Sequence, residues 1–218
     1  MPAKAQQNRQ EQTIGKIVDA ATRLFAESGY AGASVDEIAR AAGVNKATIY
    51  YHVGDKDKLY QSVLHDVIGS TVQNVVGNLS ENQTPEEKLT TYIRGVAETV
   101  ERYPPLPPVM MRAVETGGQG LSQEVAADLV MIFGILLGIL EEGVSRGAFI
   151  QTNPFLIYLM ILGAIAFHKN VEATWNGSRS AARMLRQLDP CLFDKLEGSI
   201  RKDVAEEVSR LMLRALKK

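Results

Sequence analysis

At 218 residues, 45% hydrophobic and 22% charged, the chain is long enough to bury a substantial core and to hold one or two domains. A formal net charge of −1 and a pI near 6.3 exclude a globally basic nucleic-acid binder. Even residues 1–60 are balanced, with eight Lys or Arg against seven Asp or Glu, and the single Cys191 excludes an internal disulfide and fits a reducing compartment.

In chain order, the polar start MPAKAQQNRQEQT carries no apolar segment that would serve as a signal peptide, and residues 1–12 read as a flexible arm. Ile14, Ile17, Val18, Ala21, Leu24 and Phe25 form the apolar stripe of a first helix, ended by Gly29. Ser34 and Glu37 then make an S-x-x-E capping box. The helix they open carries Val35, Ile38, Ala39 and Ala42 on one side and stops at Gly43, where a left-handed residue is needed. Asn45 caps the next helix, with Val44 before it and Ile49 inside it as a hydrophobic staple. Two helices so closely joined form a helix-turn-helix.

With Val44 and Ile49 inward, Lys46, Ala47 and Thr48 point outward from the end that a recognition helix inserts into the major groove. Lys46 reaches a phosphate or a guanine edge, Thr48 a base edge or phosphate, and Ala47 leaves room for a thymine methyl. Tyr50, Tyr51 and His52 add two phenols and an imidazole for phosphate oxygens. Tyr50 reads equally as core, since it follows Ile49, and His52 reads also as a cap of its own helix. Asp55 caps a further helix with Lys56 in its first turn, an anion site. Ser34 and Val35 read either as plain capping or as a source of backbone N–H groups for a phosphate. Because charge is balanced, any DNA contact rests on local placement of Lys46, Lys56, Lys58, Arg40, Lys4 and Arg9.

The segment from about Ile14 to Leu64 resembles the DNA-binding domain of the TetR family of bacterial transcriptional regulators. The resemblance is carried by Ile17-Val18-Asp19-Ala20-Ala21, Leu24-Phe25, Ser28-Gly29-Tyr30, Ser34-Val35, Ile38-Ala39, Ala42-Gly43-Val44 and Ala47-Thr48-Ile49-Tyr50-Tyr51-His52, with Lys56 and Leu59. Val53 departs from it, standing where the family usually has Phe. The resemblance implies a helix-turn-helix domain at 13–60, a C-terminal ligand-binding and dimerisation domain at 61–218, and a homodimer formed through the last two long helices, here Pro154–Thr174 and Ser199–Leu216.

Beyond Asp55 the periodicity predicts a helix to about Val76, then a polar loop 78–84 and a helix from Pro85 to about Tyr103, broken by Pro104-Pro105-Leu106-Pro107-Pro108. Val109–Glu115 reads as a short helix before the loop Gly117-Gly118-Gln119-Gly120. Ser122 opens a long helix to about Arg146, ended by Gly147, and Asn153 with Pro154 opens another to about Thr174. A short helix at 180–188 and a last one at 199–216, with Val204, Val208, Leu211, Met212 and Ala215 inward, complete an all-α chain. The apolar runs Leu129–Leu140 and Phe155–Phe167 are shorter than the roughly 20 residues a bilayer span takes, so a soluble cytoplasmic protein is expected, without a membrane partner. Small residues Gly163, Ala164 and Ala166 suit close contact with a second copy.

The resemblance also implies an effector pocket in the C-terminal half, for a small apolar or aromatic ligand. Tyr92, Tyr103, Met110, Met111, Phe133, Leu137, Phe167 and Trp175 could surround it, with His168 fixing a polar group; each also reads as plain core, and His168 as bonded within the fold. No motif supports catalysis, a cofactor or a metal. The Gly-rich loop 117–120 follows a helix and lacks a phosphate-loop Lys, there is no G-x-S-x-G, and His52, His65 and His168 have no ligand spacing. Glu141-Glu142 and Glu206-Glu207 are adjacent pairs that diverge on a helix. The function expected is a sequence-specific regulator binding double-stranded DNA, a ligand-released repressor on an inverted repeat. The alternative is a helical small-molecule or partner-binding module in which DNA binding is secondary or lost.

Overall fold

The computed structural model describes residues 2–104, 106, 120–177 and 179–218. The expected helix Val109–Glu115, the loop residues 117–119 and the candidate pocket residues Met110 and Met111 lie outside the described residues. The described helices are α1 (Pro2–Gly32), α2 (Val35–Ala42), α3 (Lys46–His52), α4 (Lys56–Asn78), α5 (Pro85–Arg102), α6 (Gln123–Ser145), α7 (Pro154–Gly177), α8 (Arg179–Leu188), α9 (Pro190–Ile200) and α10 (Val204–Leu216). Among the described residues there is no strand, only a lone antiparallel bridge between Phe149 and Lys217. The all-α expectation holds.

Two compact units emerge: the described residues of Met1–Ser70 with Pro108–Leu129, and those of Thr71–Pro107 with Val130–Lys218. The boundary expected after residue 60 therefore falls at Ser70, inside α4, and the start of α6 joins the first unit. In that unit, α1 is helical from Pro2, through the segment expected as a flexible arm; its Ala, Gln, Arg and Glu residues are good helix formers. Gly29, at φ 69° and ψ 175°, breaks the α1 backbone where the sequence ended the helix. α1 packs on α2 and α3, with Ile17, Ala21, Phe25, Ile38 and Ile49 fully buried. Leu59, Val63 and Leu64 of α4 are buried too. Gln61 accepts from the Ser122 amide at 2.9 Å and donates to the Gly120 carbonyl at 2.9 Å. His65 Nδ1 lies 2.6 Å from Asp128 Oδ2, so two side chains of α4 hold the start of α6.

The second unit is built round α5, which Thr84 and Glu87 open with a capping box and Pro85 in the first turn. Leu89, Tyr92, Ile93 and Val100 of α5 pack with Leu136 and Ile139 of α6, Ile157, Ile161 and Ile165 of α7, and Val204, Val208, Met212 and Leu216 of α10. Lys88 pairs with Glu142 at 2.7 Å beside this core. α6 is the one helix among the described residues long and apolar enough, by length and composition, to cross a membrane. The apolar run Leu129–Leu140, too short by itself to span a bilayer, is only the middle of this helix. Ile132, Leu136, Ile139 and Leu140 of this helix are buried in the protein core.

Two expectations at the C-terminus are corrected. The helix predicted over 199–216 is two helices, because Lys202 and Asp203 interrupt it and Asp203 accepts from the Ala205 and Glu206 amides to start α10. The inward stripe of α10 is Val204, Ala205, Val208, Ser209, Met212 and Leu216; Leu211 and Ala215 face out. The preceding helix α9 escaped the sequence reading although Asp189 caps it and Pro190 stands at its first position.

Candidate nucleic-acid interface

The turn between α2 and α3 closes by local bonds. Ser34 Oγ accepts from the Glu37 amide at 3.2 Å while the Glu37 carboxylate accepts from the Ser34 amide and hydroxyl at 2.9 and 2.7 Å. Those two donors hold the Glu37 carboxyl below its ordinary range. Gly43 ends α2 in the left-handed region at φ 68°, and the Val44 amide donates to Ala39 at 3.0 Å. Asn45 Oδ1 then takes both the Thr48 amide, at 2.7 Å, and the Thr48 hydroxyl, at 2.8 Å. Ile49, fully buried, anchors α3 on the core.

Fixing Ile49 inward turns the other side of α3 to solvent. Tyr51 is 79% exposed and Tyr50 49%, so Tyr50 stays out of the core. Ala47 and Lys46 are exposed and Thr48 is half-buried with its hydroxyl proton given to its own cap. His52 is half-buried, its ring 4.9 Å from that of Tyr51 and edge-on at 84°. Ser34 is spent on its capping box, and the Val35 side chain is buried. Its place in the α2 stripe turns the side chain to the core, so that any DNA contact of Val35 is through its backbone N–H, as expected from the sequence. Lys46 Nζ stands 2.8 Å from Asp36 Oδ2 on α2, and that bond pushes the ammonium pKa up.

Lys56 is placed by Tyr30, an aromatic residue that enters the sequence analysis only through family likeness. Its Nζ lies 4.4 Å over the Tyr30 ring, a cation–π contact. The Tyr30 hydroxyl donates to Asp57 Oδ1. This bond, then burial and the charges of Asp57 and Asp55, raise the Tyr30 pKa to about 12. Phe25 and Tyr60 pack round Tyr30, at 6.1 and 4.9 Å between ring centroids. Asp36 and Tyr30 are thus the two residues of this face that sequence reasoning missed. Their pairings link different helices, and no local spacing announces them.

In the second unit the residues expected round an effector scatter by depth. Tyr92 and Tyr103 are fully buried, and burial drives the Tyr92 phenol far above its ordinary range. The Tyr92 hydroxyl and His168 Nδ1 are buried without a hydrogen-bond partner. Phe133 is half-buried, with its ring edge-on to those of Phe155 and Tyr158 at 6.1 and 5.5 Å. Leu137 is half-buried, and Trp175 stacks on Phe193 at 5.3 Å. Phe167 is 63% exposed and is corrected as an interior residue: it shares the outer face of α7 with Met160 and Val171 at helical spacing. A cavity of about 350 Å³ lined by Asn74, Asn78, Gln83, Thr91, Arg94 and Glu98 involves none of the expected residues.

Known protein families match the chain in two segments. Residues 17–63 match the family model of bacterial regulatory proteins of the tetR family, and residues 82–174 the model of the tetracyclin repressor-like C-terminal domain. The chain is similar to the transcriptional repressor NicS of Pseudomonas putida, 29% identical over 75% of this chain and 79% of that one. It is also similar to the fatty acid metabolism regulator protein of Bacillus subtilis, 30% identical over 61% of this chain and 68% of that one. Among solved structures, the regulator FadR from Bacillus subtilis in complex with stearoyl-CoA superposes with a TM-score of 0.64 at 23% identity, covering 91% of this chain and 96% of that one.

Proposed function

Since the chain belongs to the tetR family of bacterial regulatory proteins, a family of ligand-responsive DNA-binding repressors, we propose that it represses transcription as a homodimer on an inverted-repeat operator and leaves that operator when a small effector binds. The observation that carries the DNA reading is the outward face of α3. Ile49 is buried while Tyr50 and Tyr51 are open to solvent, so the helix keeps its anchor and offers Lys46, Ala47, Thr48, Tyr50, Tyr51 and His52 to a groove. Lys56 over Tyr30 and the backbone N–H groups after Ser34 address flanking phosphates.

The second-copy reading rests on the outer face of α7. Phe155, Leu156, Leu159, Met160, Phe167 and Val171 are exposed, and a Cβ added at Gly163 would meet nothing within 4 Å. That is a long apolar stripe with a small-residue gap, which a two-fold partner would cover. The effector reading rests on Tyr92 and His168: two buried polar atoms without partners, within an apolar core, favour a largely apolar or aromatic ligand with one polar group to satisfy them. The stearoyl-CoA held by the Bacillus subtilis FadR structure is a ligand with an apolar tail of that kind.

The mechanism is a population shift. One dimer shape spaces the two recognition helices for successive major grooves, roughly 34–36 Å apart; the effector binds another shape better and only that differential affinity releases the DNA. The cytoplasm is the compartment for such a protein. Selection of random duplexes by the purified protein at modest and raised salt tests the reading, because non-specific phosphate attraction falls steeply with salt. An enriched inverted repeat that survives raised salt is expected. No enrichment from folded, ligand-free protein would favour a binding module without an operator.

A further inference from the structure

We propose that Asp36 is a specificity-determining residue: from α2 it holds the Lys46 ammonium against a base edge and off the phosphate backbone. This rests on the reading of α3 as the recognition helix. The Lys46 Nζ to Asp36 Oδ2 distance is 2.8 Å, with the two side chains 46% and 63% exposed. Arg40 follows Asp36 one helical turn along α2, yet among the described residues Asp36 pairs only with Lys46. The partner is therefore on the other helix, and the pair ties the first turn of α2 to the first turn of α3.

An exposed pair of this kind contributes little to folding stability, since Ile38 and Ile49 already fix the two helices in the core. Its consequence is for Lys46 itself. An ammonium has three donors; Asp36 takes one and leaves two for acceptors such as guanine O6 and N7. A four-carbon stem otherwise free to rotate is ordered before DNA arrives, so a contact that keeps the pair costs less side-chain entropy. A contact that breaks the pair, as reaching out to a backbone phosphate does, loses the Asp36 bond. The carboxylate thus favours the base-edge contact and disfavours the sequence-independent one.

The test measures binding of the duplex selected by the wild type, and of a random duplex, over a range of salt. It uses the wild type, Asp36→Asn, Lys46→Gln and the double variant, with melting temperature as the fold control. For Asp36→Asn the random duplex should bind about fivefold more tightly, with a log–log salt slope steeper by about 1.8, one more neutralised phosphate per protomer of the dimer. The selected duplex should not gain, and repeat selection should blur the base facing Lys46. On the Lys46→Gln background the Asp36 substitution should do neither. Lys46→Gln alone should weaken the selected duplex about tenfold. If it leaves that duplex unchanged, the placement of Lys46 on DNA fails and the proposal falls with it. If Lys46→Gln does weaken binding but Asp36→Asn raises both duplexes equally, or neither, the recognition reading stands and the role of Asp36 is overturned.

Discussion

Tyr51 separates binding from folding more cleanly than any other residue of α3, because its ring is 79% exposed and touches chiefly the His52 ring. Tyr51→Ala should leave the melting temperature unchanged and weaken the selected operator by about 1–2 kcal/mol, roughly fivefold to thirtyfold; titration of labelled operator measures this, and full affinity would remove Tyr51 from the interface. Tyr92 behaves in the opposite sense. A buried hydroxyl without a partner costs roughly 1–3 kcal/mol of desolvation, so Tyr92→Phe should keep or raise the melting temperature of the ligand-free protein while blunting release by effector. A Tyr92→Phe protein that loses stability and responds normally would mean that the hydroxyl is bonded within the fold and has no ligand to meet.

At the scale of the element, helix boundaries follow from caps, and helix contacts from the smallest residues. Ser34 with Glu37, Asn45 with Thr48 and Thr84 with Glu87 were all legible or partly legible in sequence, since a cap and its partner lie three residues apart. Asp189 before Pro190 carries the same kind of signal, its carboxylate accepting from the Leu192 amide three residues on. What spacing does not show is which neighbour a glycine admits. Gly143 of α6 lies against the buried ring of Phe149, so that a Cβ at this position would fall within the ring. Gly143→Ala should therefore cost about 1–3 kcal/mol despite the better helix propensity of alanine, seen as a lower urea midpoint. A stabilised variant would show that Phe149 moves aside freely.

At the scale of the molecule, the proposed dimer rests on the outer stripe of α7. Met160 is 44% exposed and Leu159 38%, in line with Leu156 and Phe167. Met160→Glu should leave the helical circular dichroism intact, convert the dimer to monomer in light scattering, and weaken operator binding by two orders of magnitude or more, since one recognition helix reads only a half-site. A dimer that persists with unchanged affinity would place the two-fold interface elsewhere. The cut of the chain into units belongs to this scale too. Gln61 and His65 bond to Gly120, Ser122 and Asp128, and these bonds across some sixty residues of sequence carry the first unit past the expected boundary at residue 60.

The sequence by itself determined the helix-turn-helix, its caps, the left-handed Gly43 and the inward anchor Ile49, because each is settled by groups within a few residues of one another. It determined the all-α class for the same reason: apolar residues recur at helical spacing along most of the chain. Only the tertiary structure decided that Lys46 meets Asp36, that Lys56 lies over Tyr30, that Phe167 faces out and that α10 buries Leu216 in place of Leu211 and Ala215. A helical stripe fixes a face only to within a residue or so of phase. Which residues at its edge are buried, and which side chain a charged neighbour can reach, depend on how the next helix crosses it.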